Sequence, residues 1–367
     1  VTELFTVREA IARSSQWLQT REIHTPRLDA ELLLAHTLQC KRLDLFMAPD
    51  RPLTAEETDA YRALIQRRAK HEPVAYILGE VGFWKYDFQI DRRALIPRPE
   101  TEGILDVVTQ AAGDHRDAPL RIIDVGTGSG VLAVSLALEF PNAQVVAIDI
   151  SEDALALTRE NAALHEVSER VHPVRSDLLD RVIARGSKAD IIVSNPPYIG
   201  ENERALMSRG VEAWEPYDAL FSGEEGFDVI DRLLTQIPQT LDTGGLFVME
   251  FGAPQGQGIR ERAQRLFRKW RVQKDFSQHD RLLIVDGPGD RTWAPAFEGG
   301  SDADLVHPPD PTSDVTHEEQ DQDAGFDETR ARWDAMRYGG ADGAQPLPEI
   351  DLNADVAPDD SAEDPTH

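Results

Sequence analysis

Residues 122–138 read IIDVGTGSGVLAVSLAL, an apolar strand running directly into glycines at 126, 128 and 130 and then into an apolar helix. Such a turn needs backbone conformations that L side chains resist, and the helix must pack back onto the sheet it has left, so the segment is committed to a β-α unit. The alternation recurs downstream. Strands are expected at 120–126, 143–150, 170–177, 189–195, 244–252 and 281–287, with helices at 129–139, 152–164, 225–241 and about 254–269. Apolar strands separated by helices imply an α/β fold whose parallel-dominated sheet is covered on both faces.

The flanking segments differ. Residues 1–80 carry helical periodicity, with a capping-box start at Thr6 to Glu9, Thr25-Pro26 ahead of RLDAELLLAHTLQ, and a further helix opening at Thr54. Residues 81–96 alternate and are rich in aromatic residues, as expected of a β-hairpin linker, and the α/β domain then occupies 97–287. Residues 288–367 are acidic, rich in Asp, Pro and Gly and poor in apolar residues, which predicts a disordered tail. Within it, 328–340 reads either as a short docking helix or as isolated apolar residues.

Charge and composition exclude several classes. Of the net −28, residues 287–367 contribute −17, from 21 Asp and Glu against four Arg; the remainder still carries −11. Neither part has the basic surface expected of a nucleic-acid binder, so no direct nucleic-acid contact is expected. The single cysteine, Cys40, excludes an internal disulfide and is expected to be a buried thiol in a helix. The scattered histidines show no metal-ligand spacing, so no metal is expected. No apolar run is long enough to span a bilayer, and VTELFTVREA is unlike a signal peptide, so a cytoplasmic protein without membrane attachment is expected.

The glycine turn narrows the ligand. A P-loop needs Gly-Lys-Ser/Thr, but Val131 and Leu132 follow Gly130; a dinucleotide fingerprint begun at Gly126 needs glycine at 131. Asp124, then G-x-G-x-G, then Asp149 closing the next strand resembles the S-adenosylmethionine-dependent methyltransferases. That resemblance implies that Gly126, Thr127, Gly128, Ser129 and Gly130 line the cofactor and that Asp149 accepts its ribose hydroxyls. It also places Asp177 near the adenine amine and Leu178 against the ring; the alternative is that Asp177 caps the following turn.

A second motif ends strand 189–195. In Ser194-Asn195-Pro196-Pro197-Tyr198 the prolines hold the chain extended at the strand's C-terminal end, where open α/β sheets bind ligands. It resembles the N-P-P-Y motif of enzymes that methylate a nitrogen on a planar conjugated group. The resemblance implies that the Asn195 side chain and the Pro196 carbonyl accept the two N–H bonds of that nitrogen. Asn195 would border both cofactor and substrate, while Pro197 and Tyr198 complete the substrate wall, with Tyr198 packing a flat face on it.

Further blocks narrow the resemblance: PVAYILGE (73–80), FW (83–84), FQIDRRALIPRPETE (88–102), EP-x-x-AL (215–220) and EFGAPQG (250–256). With the glycine turn and NPPY they are similar to the peptide-chain-release-factor glutamine N5-methyltransferases over roughly residues 5–287. This resemblance implies a Rossmann-like class I methyltransferase sheet, a helical N-terminal domain that grips a release factor, and Pro97, Arg98, Glu100 and Thr101 near the cofactor or bound loop. The implied substrate is the glutamine of the Gly-Gly-Gln motif of bacterial class 1 release factors, with S-adenosyl-L-methionine as cofactor. A nucleic-acid base or a ribosomal-protein glutamine is the alternative substrate. Two features depart from the family pattern: Leu178 stands where an aromatic residue is common, and the acidic tail has no counterpart.

Overall fold

The computed structural model describes residues 5–289 except 208. Five helices come first: α1 (Val7–Gln19), α2 (Pro26–Thr37), α3 (Arg42–Met47), α4 (Ala55–Arg68) and α5 (Val74–Leu78). Both expected capping boxes form. Thr6 Oγ1 accepts from Glu9 N at 3.3 Å and Thr54 Oγ1 from Glu57 N at 3.2 Å, while each glutamate accepts the cap residue's own N–H. Leu18, Leu33, Leu34, Leu53, Tyr61 and Ile65 pack this domain's core. Cys40 lies past the end of α2 rather than within it and is half-buried, with burial pushing its thiol pKa up.

The hairpin follows as β1 (Glu80–Phe83) and β2 (Tyr86–Gln89), paired antiparallel. The chain then runs α6 (Glu102–Ala112), β3 (Arg121–Val125), α7 (Val131–Glu139), β4 (Gln144–Asp149), α8 (Glu152–Leu164), β5 (Val171–Arg175), α9 (Asp180–Ala184), β6 (Ala189–Ser194), α10 (Arg209–Trp214), α11 (Asp228–Thr240), β7 (Leu241–Glu250), α12 (Gly256–Leu266), β8 (Lys269–Lys274) and β9 (Asp280–Asp286). The expected helix at 254–269 therefore stops at Leu266, and a strand absent from the sequence reading follows it. KWRVQK buries only Trp270 fully, and its charged flanks hide the strand period.

Seven strands form one sheet in the order β5-β4-β3-β6-β7-β9-β8, in which β9 is antiparallel to β7 and to β8 and the other pairs are parallel. Alternate side chains of the parallel strands feed two cores. Ile122, Ile191 and Leu246 pack with α6 and α7, whereas Ile123, Ile192 and Phe247 pack with α11 and α12. Strand order reverses between β3 and β6, so the sheet's switch point lies between the glycine turn and Asn195. Residues 290–367 of the acidic tail, including 328–340, lie outside the described residues. Among the described residues, no helix is long and apolar enough to cross a membrane.

Candidate active site

Ser194 Oγ donates to the Val125 carbonyl at 2.8 Å, tying the ends of β6 and β3 together at the switch point. Beyond β3, Gly126, Gly128 and Gly130 all have positive φ (+74°, +57° and +83°), so the glycine spacing is a conformational requirement of the turn. A Cβ on Gly130 would lie 2.8 Å from Thr158 Cγ2, and one on Gly126 would lie 3.9 Å from the Asn195 carbonyl oxygen. The glycine turn and the NPPY segment are thus brought against each other.

The turn is held by side chains from α8 and β4. Asp149 Oδ2 accepts from Gly128 N at 2.9 Å, and its Oδ1 from Ser151 N at 2.9 Å. Burial raises the Asp149 pKa against the opposing pull of these backbone donors. Thr158 Oγ1 donates to the Gly128 carbonyl at 3.0 Å, and Asn161 Nδ2 to the Ser129 carbonyl at 2.8 Å. Asn161 also exchanges bonds with Gln89 N and O, fastening β2 to the turn. The sequence reading missed Thr158 and Asn161; the available signal was two polar residues on the otherwise apolar buried face of α8.

Asp124 is fully buried. Its Oδ2 accepts from Thr127 Oγ1 at 2.7 Å and Ala133 N at 3.2 Å, its Oδ1 has no partner among the described residues, and burial pushes its pKa up to about 7. Asp177 lies exposed beyond β5, where Arg232 Nη2 of α11 reaches its Oδ2 at 2.6 Å. Leu178 follows with φ +45° and packs against the core cluster of Ile123 and Leu179.

The NPPY segment forms one wall of a cavity of about 240 Å³. Asn195, Pro196, Pro197 and Tyr198 face Leu95 and Arg98 on one side and Met207 and Val211 on another. Arg98 is anchored by Glu215, whose Oε1 accepts from its Nη2 at 2.7 Å while Oε2 accepts from Ile96 N at 3.2 Å. The EP-x-x-AL block thereby braces PRPETE.

Behind this wall lies a polar chain. Asn195 Nδ2 donates to Thr101 Oγ1 at 3.0 Å, and Thr101 Oγ1 donates to Glu250 Oε2 at 2.7 Å. Tyr198 OH donates to Glu250 Oε1 at 3.1 Å. Glu250 and Thr101 are buried, and burial raises the Glu250 pKa. Asn195 Oδ1 is itself buried and has no donor among the described residues. Gln255 Nε2 donates to the carbonyls of Tyr198 and Gly226 at 3.0 and 3.1 Å, fixing the far end of the motif. Among the described residues, no group of three or more His, Cys, Asp or Glu side chains gathers to hold a metal ion.

A seven-stranded sheet of this order, with the glycine turn and NPPY facing each other across its switch point, defines a Rossmann-like methyltransferase. Residues 103–211 match the methyltransferase small domain family, and residues 9–79 match the PrmC N-terminal domain. The release factor glutamine methyltransferase of Koribacter versatilis is 42% identical over 286 residues, covering 77% of this chain and 99% of the relative. That of Chlorobaculum tepidum is 40% identical over 287 residues, covering 77% and 97%. The solved 16S rRNA N2 G1207 methyltransferase of T. thermophilus, with AdoMet and guanosine, overlays at a TM-score of 0.43 and 15% identity, over 57% of this chain and 49% of that one. This chain belongs to the release factor glutamine methyltransferase family.

Proposed function

We propose that this protein methylates the side-chain amide nitrogen of the glutamine in the Gly-Gly-Gln motif of class 1 peptide chain release factors, using S-adenosylmethionine, in the cytoplasm. The observation that carries the reading is the Asn195 side-chain oxygen: a buried acceptor without a donor among the described residues, on a residue lining a cavity whose other walls are mainly apolar. Leaving such a group unpaired costs about 1–3 kcal/mol, so the site gains when a substrate N–H arrives.

The residues around the glycine turn fit the cofactor. Positive-φ glycines keep Cβ atoms out of its path, and Asp149 has lone pairs left for two hydroxyls after accepting the Gly128 and Ser151 N–H groups. Gly126, Thr127, Gly128, Ser129, Gly130 and Asp149 hold it in this reading, with Asp177, Leu178 and Asn195 at its edge. When bound, S-adenosylmethionine supplies a methyl group activated by its positively charged sulfur.

The chain's own residues supply orientation. An amide nitrogen is a poor nucleophile because its lone pair is delocalised into the carbonyl. Asn195 Oδ1 accepts one N–H and the Pro196 carbonyl the other, which fixes the nitrogen's direction and places partial negative charge beside the positive charge it develops. Tyr198 does not act as the base: burial raises its pKa further above neutral and its hydroxyl is already donating to Glu250. Its ring and Pro197 form part of the wall. The helical domain of residues 1–80 grips the release factor.

The test is mass spectrometry of an unmethylated release factor after incubation with this protein and S-adenosylmethionine. One added methyl on the Gly-Gly-Gln glutamine, with Asn195→Ala lowering the methylation rate far more than the cofactor affinity, is the expected result. No methyl gain with cofactor bound would overturn the substrate assignment.

A further inference from the structure

We infer that Glu250 is a positioning residue that decides which end of the Asn195 amide meets the substrate, acting through Thr101. The inference rests on the reading of Asn195 as the substrate acceptor and extends it to a residue 55 positions away. Its basis is a count of protons. An asparagine amide has two ends of nearly the same shape, one an acceptor and the other a double donor, so packing cannot tell them apart; only hydrogen-bond partners can.

Thr101 carries one hydroxyl proton. Glu250, as a carboxylate, is an acceptor only, and its Oε2 lies 2.7 Å from Thr101 Oγ1, so that proton is committed to Glu250. Oγ1 then has only lone pairs to offer Asn195. The amide must turn its NH2 toward Thr101, at 3.0 Å, and its oxygen away, which leaves Oδ1 buried and without a donor among the described residues. Tyr198 OH occupies the other Glu250 oxygen at 3.1 Å, so the carboxylate is held from both sides and the chain has a single direction. Reversing the amide would set NH2 against the NH2 of a glutamine substrate, two donors with no acceptor between them. Glu250 sits at the C-terminal end of β7, next to the end of β6 that carries Asn195, so the sheet brings these two together, and the packing of α6 on β7 adds Thr101.

Because Glu250 and Thr101 act through one atom of Asn195, their removal should alter turnover rather than cofactor binding. Steady-state kinetics on the unmethylated release factor, with S-adenosylmethionine affinity measured by calorimetry, test this. Thr101→Val, which keeps the shape and removes the hydroxyl, should lower kcat by roughly 10- to 100-fold with cofactor affinity unchanged. Thr101→Ser, which keeps the proton, should restore most of the rate. Glu250→Gln should lower kcat in the parent chain but add little in the Thr101→Val background, since the two act in series.

A purely structural role predicts otherwise: cofactor affinity falls with the rate, Thr101→Ser does not restore it, and the losses multiply in the double variant. Either that pattern, or full activity of both Thr101→Val and Glu250→Gln, overturns the relay. Failure of the parent protein to methylate the release factor would instead overturn the substrate reading and the relay with it, so the two failures are distinguishable.

Discussion

Asp149 Oδ2 holds the backbone N–H of Gly128 at 2.9 Å, so the carboxylate at the end of β4 is part of the glycine turn before any ligand arrives. Its second oxygen secures Ser151 N at the start of α8. Asp149→Ala therefore removes two charge-assisted bonds from the free protein. Its stability should fall by about 2–3 kcal/mol in urea unfolding, in addition to at least a 10-fold loss of S-adenosylmethionine affinity. An unchanged unfolding midpoint with lost affinity would reduce Asp149 to a ligand contact.

Asp124 gives a pH-dependent prediction. Its folded pKa is raised to about 7 by burial, so its neutral form suits the fold; the stability it contributes is full below pH 4 and lost as pH rises through 7. Asp124→Asn imitates the neutral form, keeping an acceptor for Thr127 and Ala133. The stability advantage of Asp124→Asn over the parent should be small at pH 4 and grow to roughly 2–4 kcal/mol at pH 8. Parallel stability curves for the two proteins would contradict the assignment of burial as the cause.

Arg98 and Glu215 lock PRPETE to the segment that begins EP-x-x-AL. Glu215 is buried and Arg98 one-third exposed, with 2.7 Å between Nη2 and Oε1. Arg98→Ala leaves an uncompensated buried carboxylate and should cost about 2–4 kcal/mol, the exposed fraction of the arginine lowering the figure. Adding Glu215→Gln should recover part of that loss, since the amide oxygen still accepts from Ile96 N. A denaturant double-mutant cycle reads the recovery; a further loss in the double variant would refute the pairing argument.

The sheet and both motifs were legible in the sequence because strand burial, glycine turns and proline stops are local signals. Strands β3 to β7 and β9 fall within a few residues of their expected positions, and the glycine turn and Asn195 meet across the switch point. Strand β8 was hidden because an edge strand that buries little needs few apolar residues. Helices α3 and α5 are too short for periodicity to register. The polar chain behind Asn195 was illegible for another reason. Thr101 and Glu250 are 149 residues apart and meet only because α6 and β7 pack together, so nothing local marks Glu250, at the head of EFGAPQG, as the partner of Thr101.

Gly226 offers a way to disturb the NPPY segment without touching its side chains. It has φ +78°, and a Cβ there would lie 2.1 Å from the Tyr198 carbonyl oxygen and 2.9 Å from Gln255 Nε2. Gly226→Ala must therefore push the motif's far end away from the Gln255 bonds that fix it. Gly79 serves as the control, since it has φ +76° and nothing within 4 Å of a Cβ. Gly79→Ala should cost about 1 kcal/mol from the backbone conformation and leave turnover intact. Gly226→Ala should carry the same backbone cost and, through displacement of Asn195 and Pro196, a kcat loss of roughly 10- to 100-fold at unchanged cofactor affinity. Equal kcat in the two variants would mean that the position of the motif's far end does not govern the reaction.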